Sequence, residues 1–217
     1  MWTLRKVHIG RVVRYFIIID LIFLAGWGLI RPVFSVFIVE HVETATLTTV
    51  GIAVAIYWVL RSLLQLPIAD FLDRTPGERD DFYVLVAGLL IAALAALSYV
   101  FVTRPWQLYV VEAVHAVGFA CYLPSWRSIF SRHLDKSHVS FDWSLDNAAL
   151  GLATGASGLF GGAIAATFGF QIIFVLAAVL SFLAAMVLLL VPNLILAPKD
   201  GARQHFFFFR RHSSGNL

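Results

Sequence analysis

The residues ADFLDRTPGERDD, positions 69–81, decide how this chain is read. They crowd Asp70, Asp73, Arg74, Glu78, Arg79, Asp80 and Asp81 around a Pro76-Gly77 turn, with long apolar runs on either side. A polar knot this dense between hydrophobic walls belongs in water at a membrane surface, where charged groups keep their hydration.

The walls themselves are membrane spans. Of 217 residues, 60% are hydrophobic and 13% charged, and the mean hydropathy is +0.84. A soluble domain carries about a quarter charged residues, and roughly twenty consecutive apolar residues cross a bilayer. Six stretches reach that length: 12–38 (interrupted by Pro32), 47–72, 82–102, 106–132, 141–168 and 170–196. Lipid leaves no partner for open backbone polar groups, so each reads as a helix. No alternating ten-residue segments of the kind a membrane β-barrel needs are present. The expected fold is an all-α integral membrane bundle of six transmembrane helices over 12–196, with a basic terminus at 1–11 and a tail at 197–217.

The net charge of +3 and pI near 9.2 reflect basic residues gathered at span ends, so no nucleic-acid partner is implied. Arg5, Lys6, Arg11 and Arg14 precede the first span, Arg74 and Arg79 lie in the second connection, and Arg127, Arg132 and Lys136 lie at the fourth. Lys199, Arg203, Arg210 and Arg211 follow the sixth. The opposite side offers Arg104, with Arg31 near a span end and acidic Glu40 and Glu43. By the positive-inside rule both termini are cytoplasmic, in a multi-pass protein of the cell membrane. The basic start has the flank of a secretory signal, but its apolar run is long and lacks a small-residue cleavage site, so it reads as a retained first span. The tail HFFFFRRHSSGNL suits an interfacial anchor, and its basic, polar ending argues mildly against truncation of a longer chain.

Polar groups inside the spans carry the functional signal. Asp20, Trp27 and Arg31 fall on one stripe of the first span, and Trp58, Arg61 and Gln65 on one stripe of the second. Glu112 and His115 are one turn apart on the fourth, ahead of Pro124. A charge at a helix centre costs about 2.5–3.5 kcal/mol, so Asp20, Arg31, Arg61 and Glu112 facing lipid would together cost on the order of 10 kcal/mol. They should face one another or a water-filled cavity. At about 1.5 Å per residue Asp20 lies roughly 16 Å from Arg31 along the axis, so depth pairs Arg31 with Glu112 and Asp20 with Arg61. Arg31 has a lesser alternative reading as a cation snorkelling to the interface, Gln65 and His115 read as readily as helix–helix glue, and Trp27 and Trp58 can be read as ordinary packing.

The fifth span carries Gly151, Gly155, Gly158 and Gly162, a small-residue stripe that reads as a packing seam. Gly155-Ala156-Ser157-Gly158 has the look of an intramembrane serine protease motif. That chemistry needs a histidine base within reach of the serine, and the only later histidines, His205 and His212, are in the tail. The single Cys121 excludes an intrachain disulfide or a cysteine metal cluster, and no metal or phosphate-loop motif appears. No enzyme activity, cofactor or metal is expected.

The loop now acquires a family. The pattern G-x-x-x-D-[RK]-x-G-[RK]-[RK] between the second and third spans marks the major facilitator superfamily, and residues 69–79 resemble it. Asp73, Arg74 and Gly77 match, Ala69 stands for the first glycine, Thr75-Pro76 replaces one residue, and Glu78-Arg79 replaces the basic pair. GWGLIRPVFSVFI resembles the family's glycine-rich first helix, and Ala153, Ser157, Gly158, Gly161 and Gly162 occupy its G-x-x-x-G-P-x-x-G-G motif without the proline. The common arginine of the fourth span is absent. The resemblance covers roughly 12–191 and implies the N-terminal six-span half of a secondary transporter.

Such transporters pair two six-span bundles about an axis along the membrane normal and bind solute between them. With one bundle present, the resemblance implies a parallel two-fold homodimer, or a separate half-partner, moving a small molecule across the lipid bilayer by alternating access. Asp20, Trp27, Arg31, Trp58, Arg61, Gln65, Glu112 and His115 would line the substrate cavity, with Asp20 or Glu112 as candidate carriers of a coupling proton. Asp73, Arg74, Gly77 and Arg79 would form a gating loop, Asp73 latching onto the start of the opposite fifth span near Asn147. The alternative is a non-transporting scaffold or accessory subunit that keeps the fold.

Overall fold

The computed structural model of the chain describes residues 10–75, 77–134, 136, 138–190 and 192. The basic residues of 1–9 and the tail fall outside the described residues, as does the expected continuation of the sixth span to 196. Seven α-helices are described: α1 (Arg11–Ile30), α2 (Phe34–His41), α3 (Leu47–Arg74), α4 (Arg79–Ser98), α5 (Pro105–Arg132), α6 (Val139–Phe168) and α7 (Phe170–Leu190). Six are long and apolar enough to cross a membrane, with α4 extended by a 3₁₀ turn to Phe101.

Local chemistry sets the breaks. Pro32 has no N–H to donate and its ring obstructs a continuous helix, so α1 stops at Ile30 and the chain resumes as α2 at Phe34. Thr46 and Thr49 cap the start of α3 reciprocally. At α5, Pro105 takes the first turn, where its missing N–H costs nothing. Gln107 accepts from the backbone nitrogens of Thr103 and Arg104 at 2.9 and 3.0 Å. Gly77 turns the loop at φ +122°, a conformation that side chains with a Cβ rarely adopt, which accounts for glycine at that place in the motif.

The helices associate through small residues, as lipid-solvated helices must when no hydrophobic drive separates helix from tail. α1 lies against α6 and α7, α4 against α5 and α7, and α3 against α5. A methyl at Gly88 of α4 would sit 2.7 Å from the Tyr122 backbone nitrogen of α5, and one at Gly118 would sit 2.9 Å from that of Ala92. α6 meets α1 through Ser157, against Gly28, and Gly161, against the Leu29 backbone. The four glycines of the expected seam do otherwise. Gly151, Gly155, Gly158 and Gly162 would each place a methyl with nothing within 4 Å. The intrabundle seam runs through the residues one position earlier, about 100° around the helix, and the glycine stripe faces outward.

The 69–81 loop is tied to its own bundle. Arg132, at the end of α5, donates to the Gly77 carbonyl at 2.7 Å and pairs with buried Asp81. His133 lies 3.6 Å from Glu78. Arg74 pairs along its helix with Asp70 at 2.7 Å, Arg79 lies over the Tyr83 ring at 5.9 Å, and Asp73 is exposed.

Replacing Gly161 with Ala should lower the unfolding temperature in detergent, because the added methyl forces α1 and α6 apart at about 1–3 kcal/mol. For a single, undimerised bundle, Gly158→Ala should hold or raise it through the roughly 1 kcal/mol helix preference of alanine, since its methyl meets nothing within 4 Å in this chain. Glu78 supplies a pH test. Burial lifts its carboxyl above the usual value of 4.5, against the pull of His133 and Arg132. The folded chain then holds this proton more tightly than the unfolded one, so the contribution is full at low pH and is lost as pH rises through the lifted value. Glu78→Gln should flatten that part of the stability profile above pH 4.5, measured by thermal unfolding.

Candidate functional site

α1 and α5 meet through large aromatic side chains rather than at backbone distance, and a cavity of ≈ 330 Å³ lies between them and α3. Its floor is a buried polar knot. Glu112 of α5 is 2% exposed, yet both its oxygens are engaged: Tyr99 donates to Oε1 at 2.8 Å, and His115 Nδ1 lies 3.3 Å from Oε2. Tyr99 reaches this point because the 3₁₀ turn after α4 delivers its ring inward. Its hydroxyl also lies 3.3 Å from His115 Nδ1, closing a three-membered polar cluster.

The His115 ring is then held as the middle of a stack. Trp27 of α1 lies on one side at 4.0 Å between centroids and Tyr57 of α3 on the other at 4.2 Å, with Phe119 edge-on at 4.9 Å. Arg61, one turn beyond Tyr57, donates to its hydroxyl at 2.9 Å. The Arg61 guanidinium lies 5.0 Å from the Trp58 ring and 5.8 Å from that of Phe119, placing a cation against aromatic faces. Arg31, exposed at the break after α1, also lines the cavity and acts electrostatically on Tyr57 and His115.

Six of the eight cavity residues expected from sequence therefore meet in one wall: Trp27, Arg31, Trp58, Arg61, Glu112 and His115. Asp20 and Gln65 do not line it. The expected pairings are also corrected. No carboxylate lies within 4 Å of Arg31 or Arg61 among the described residues; Glu112 is satisfied by Tyr99 and His115, and Arg61 by the Tyr57 hydroxyl and its rings. Asp20 is buried to 1% on α1 and interacts not with Arg61 but with the carboxylate of Asp146 on α6. Oδ1 of each lacks a hydrogen-bond partner among the described residues. Sequence reasoning missed Tyr57, Tyr99 and Phe119. The one available signal was spacing, since Tyr57 precedes Arg61 by one turn and Phe119 follows His115 by one turn. No group of three or more metal-ligating side chains occurs among the described residues.

A six-span helical bundle with a polar, aromatic-lined cavity set between its first, second and fourth spans defines a multi-pass membrane protein with a solute-sized internal site. The family model of the Major Facilitator Superfamily matches residues 16–212, and the chain belongs to that superfamily. It is 24% identical over 160 residues to the Multidrug resistance protein MdtG of Dickeya zeae (strain Ech586), an alignment covering 73% of this chain and 38% of that one. The in meso crystal structure of the POT family transporter PepTSo shares the fold, with a TM-score of 0.68 at 17% identity over 88% of this chain and 40% of that one. The chain thus spans about two fifths of the length of these relatives.

Tyr99→Phe removes one hydrogen bond from a buried carboxylate and should destabilise the bundle by about 1–3 kcal/mol. In the Glu112→Gln background the same change should cost markedly less, as a double-mutant cycle of thermal unfolding would measure.

Proposed function

We propose that the chain forms half of a secondary transporter, in which two six-helix bundles rock about the cavity and move a small solute across the cell membrane by alternating access. Both termini lie on the cytoplasmic side, as the distribution of basic residues supports. The reading rests above all on the cavity and its unfinished wall. Trp58 is 55% exposed and Arg31 is exposed beside it, so two residues of a polar site border surface that this bundle leaves uncovered. A guanidinium left toward hydrocarbon is costly, and a second bundle laid over α3 and α6 encloses it. Those two helices are also the least covered, with 11% of their central windows buried against 61% for α1.

A second copy of the chain in the same orientation supplies that bundle through a two-fold axis along the membrane normal. The outward glycine stripe of α6 then becomes a seam between bundles rather than within one, since close backbone approach is what such a stripe permits. Asp73 stands exposed at the loop end of α3, where it can latch onto the start of α6 in the opposite copy. Glu112 is already satisfied inside the knot, whereas Asp20 has a free carboxylate oxygen, which favours Asp20 as the carrier of a coupling proton.

Native mass measurement in nanodiscs should give twice the mass of one chain. Single cysteines at Trp58 and Val54, in a Cys121→Ser background, should label from either side of the membrane in turn, and Asp73→Asn should shift that balance without lowering the unfolding temperature. A homogeneous monomer whose labelling pattern is fixed, with Asp20→Asn and Glu112→Gln variants unaltered in ligand-induced stabilisation, would point to a scaffold instead.

A further inference from the structure

We infer that the solute is an organic anion, an oxyanion carried on a flat apolar body, with Arg31 and Arg61 receiving the charged group. The inference rests on the proposed role of the cavity as a solute site and names the chemistry the site would take.

Charge in the wall is unbalanced in one direction. Arg31 and Arg61 both line the cavity, and neither has a carboxylate within ion-pairing distance among the described residues. Among the described residues the one acid in the wall, Glu112, has a side chain 3% exposed and both oxygens taken by Tyr99 and His115. A cationic solute would meet two guanidiniums and an acid it could reach only by dismantling the knot. An anionic one supplies the counter-charge that a partly desolvated guanidinium lacks, and charge pairing strengthens as water is excluded.

Hydrogen-bonding capacity leans the same way. Arg61 gives Nη1 to the Tyr57 hydroxyl and has further N–H groups to offer, since a guanidinium carries five donors and no acceptor. The groups left over in the wall are thus donors, and what they call for is acceptor oxygens. A carboxylate or phosphate also matches the forked geometry of arginine, which a lone halide does not.

The rest of the wall selects the body. Trp27, Tyr57, Trp58 and Phe119 present ring faces and edges around the two cations, a setting for a planar apolar group stacked beside its own charge. The volume of ≈ 330 Å³ lies at the small end of ligand cavities, about 300–1,000 Å³, and suits a molecule of one or two rings.

The test uses the full chain in phosphatidylcholine nanodiscs and isothermal titration calorimetry with three probes of one shape: 2-naphthoate, 2-naphthamide and a naphthylmethyl-trimethylammonium cation. Naphthoate should bind at least about tenfold tighter than the other two, and Arg31→Gln and Arg61→Gln should each weaken it roughly tenfold or more. Arg61→Lys, which keeps the charge and loses the fork, should fall between wild type and Arg61→Gln, so that an unstable glutamine variant does not decide the matter. Equal or tighter binding of the amide or the cation, or naphthoate affinity unchanged in the arginine variants, overturns the anion. If the cation binds and Glu112→Gln abolishes its binding, the anion fails while the cavity remains a solute site. If no probe binds and none stabilises the fold, the cavity fails as a solute site as well. Adding phosphatidylglycerol separates the two sources of oxyanion: undiminished naphthoate binding supports a soluble solute, whereas arginine-dependent competition overturns that assignment in favour of a lipid headgroup.

Discussion

A carboxylate placed at Glu112 has no bulk water to stabilise it, and the cavity side of the bundle is organised by how that problem is solved. An unpaired buried charge costs several kcal/mol, so both oxygens must find donors from within the protein. Oε1 accepts from Tyr99, in the turn that ends α4, and Oε2 lies against His115 Nδ1, one turn along α5 itself. Meeting that demand fixes the C-terminal end of α4 against α5 and sets the plane of the imidazole. The imidazole in turn receives Trp27 from α1 and Tyr57 from α3 on its two faces. Four elements thereby converge on one acid, and α1 and α5 are held in register by rings rather than by close backbone approach.

The two sides of α1 have been put to different uses. Toward α6 and α7 it meets small residues at backbone distance, through Gly26 on Ala177 and Gly28 on Ser157. Toward α5 it presents large aromatic rings that hold the helices apart and leave room between them. Close approach on one side and stand-off on the other are both packing solutions, but only the second makes a site. The boundary between them runs along a single helix, so one element borders both the close-packed seam and the cavity wall.

Much of this was legible in the sequence, for physical reasons that also mark where legibility ended. Hydrocarbon thickness and the ban on lipid-exposed polar backbone translate almost directly into apolar run length, so the six spans and the break at Pro32 follow from composition alone. Polar residues within spans stand out because they are costly, which is why Trp27, Arg31, Trp58, Arg61, Glu112 and His115 could be named in advance. Their partners could not. Periodicity shows which residues share a face of one helix but not which faces meet, and Arg31 was matched by depth to Glu112 when Glu112 is in fact held by Tyr99 and His115. Tyr57 and Phe119 gave only the weak signal of one-turn spacing from Arg61 and His115, and Tyr99 none, because aromatic rings are ordinary in an apolar span. The glycine stripe of α6 shows the same limit: one residue along a helix is about 100° of rotation, so the sequence marks a face for close approach without saying whether the seam lies inside the bundle or outside it.

That outward stripe and the open cavity wall are consequences of one fact about surfaces in lipid. In water an exposed apolar face demands a partner, but in a bilayer it does not, because the tails solvate it as well as protein would. Exposed Leu63, Leu66, Leu152 and Leu159 therefore say little about what lies against α3 and α6. Groups that lipid solvates badly say more. Arg31 and the half-exposed Trp58 stand beside the cavity on the uncovered side, and the glycines expose backbone that no leucine shields. Polar and small residues, not the apolar majority, mark the face over which the proposed second bundle would lie.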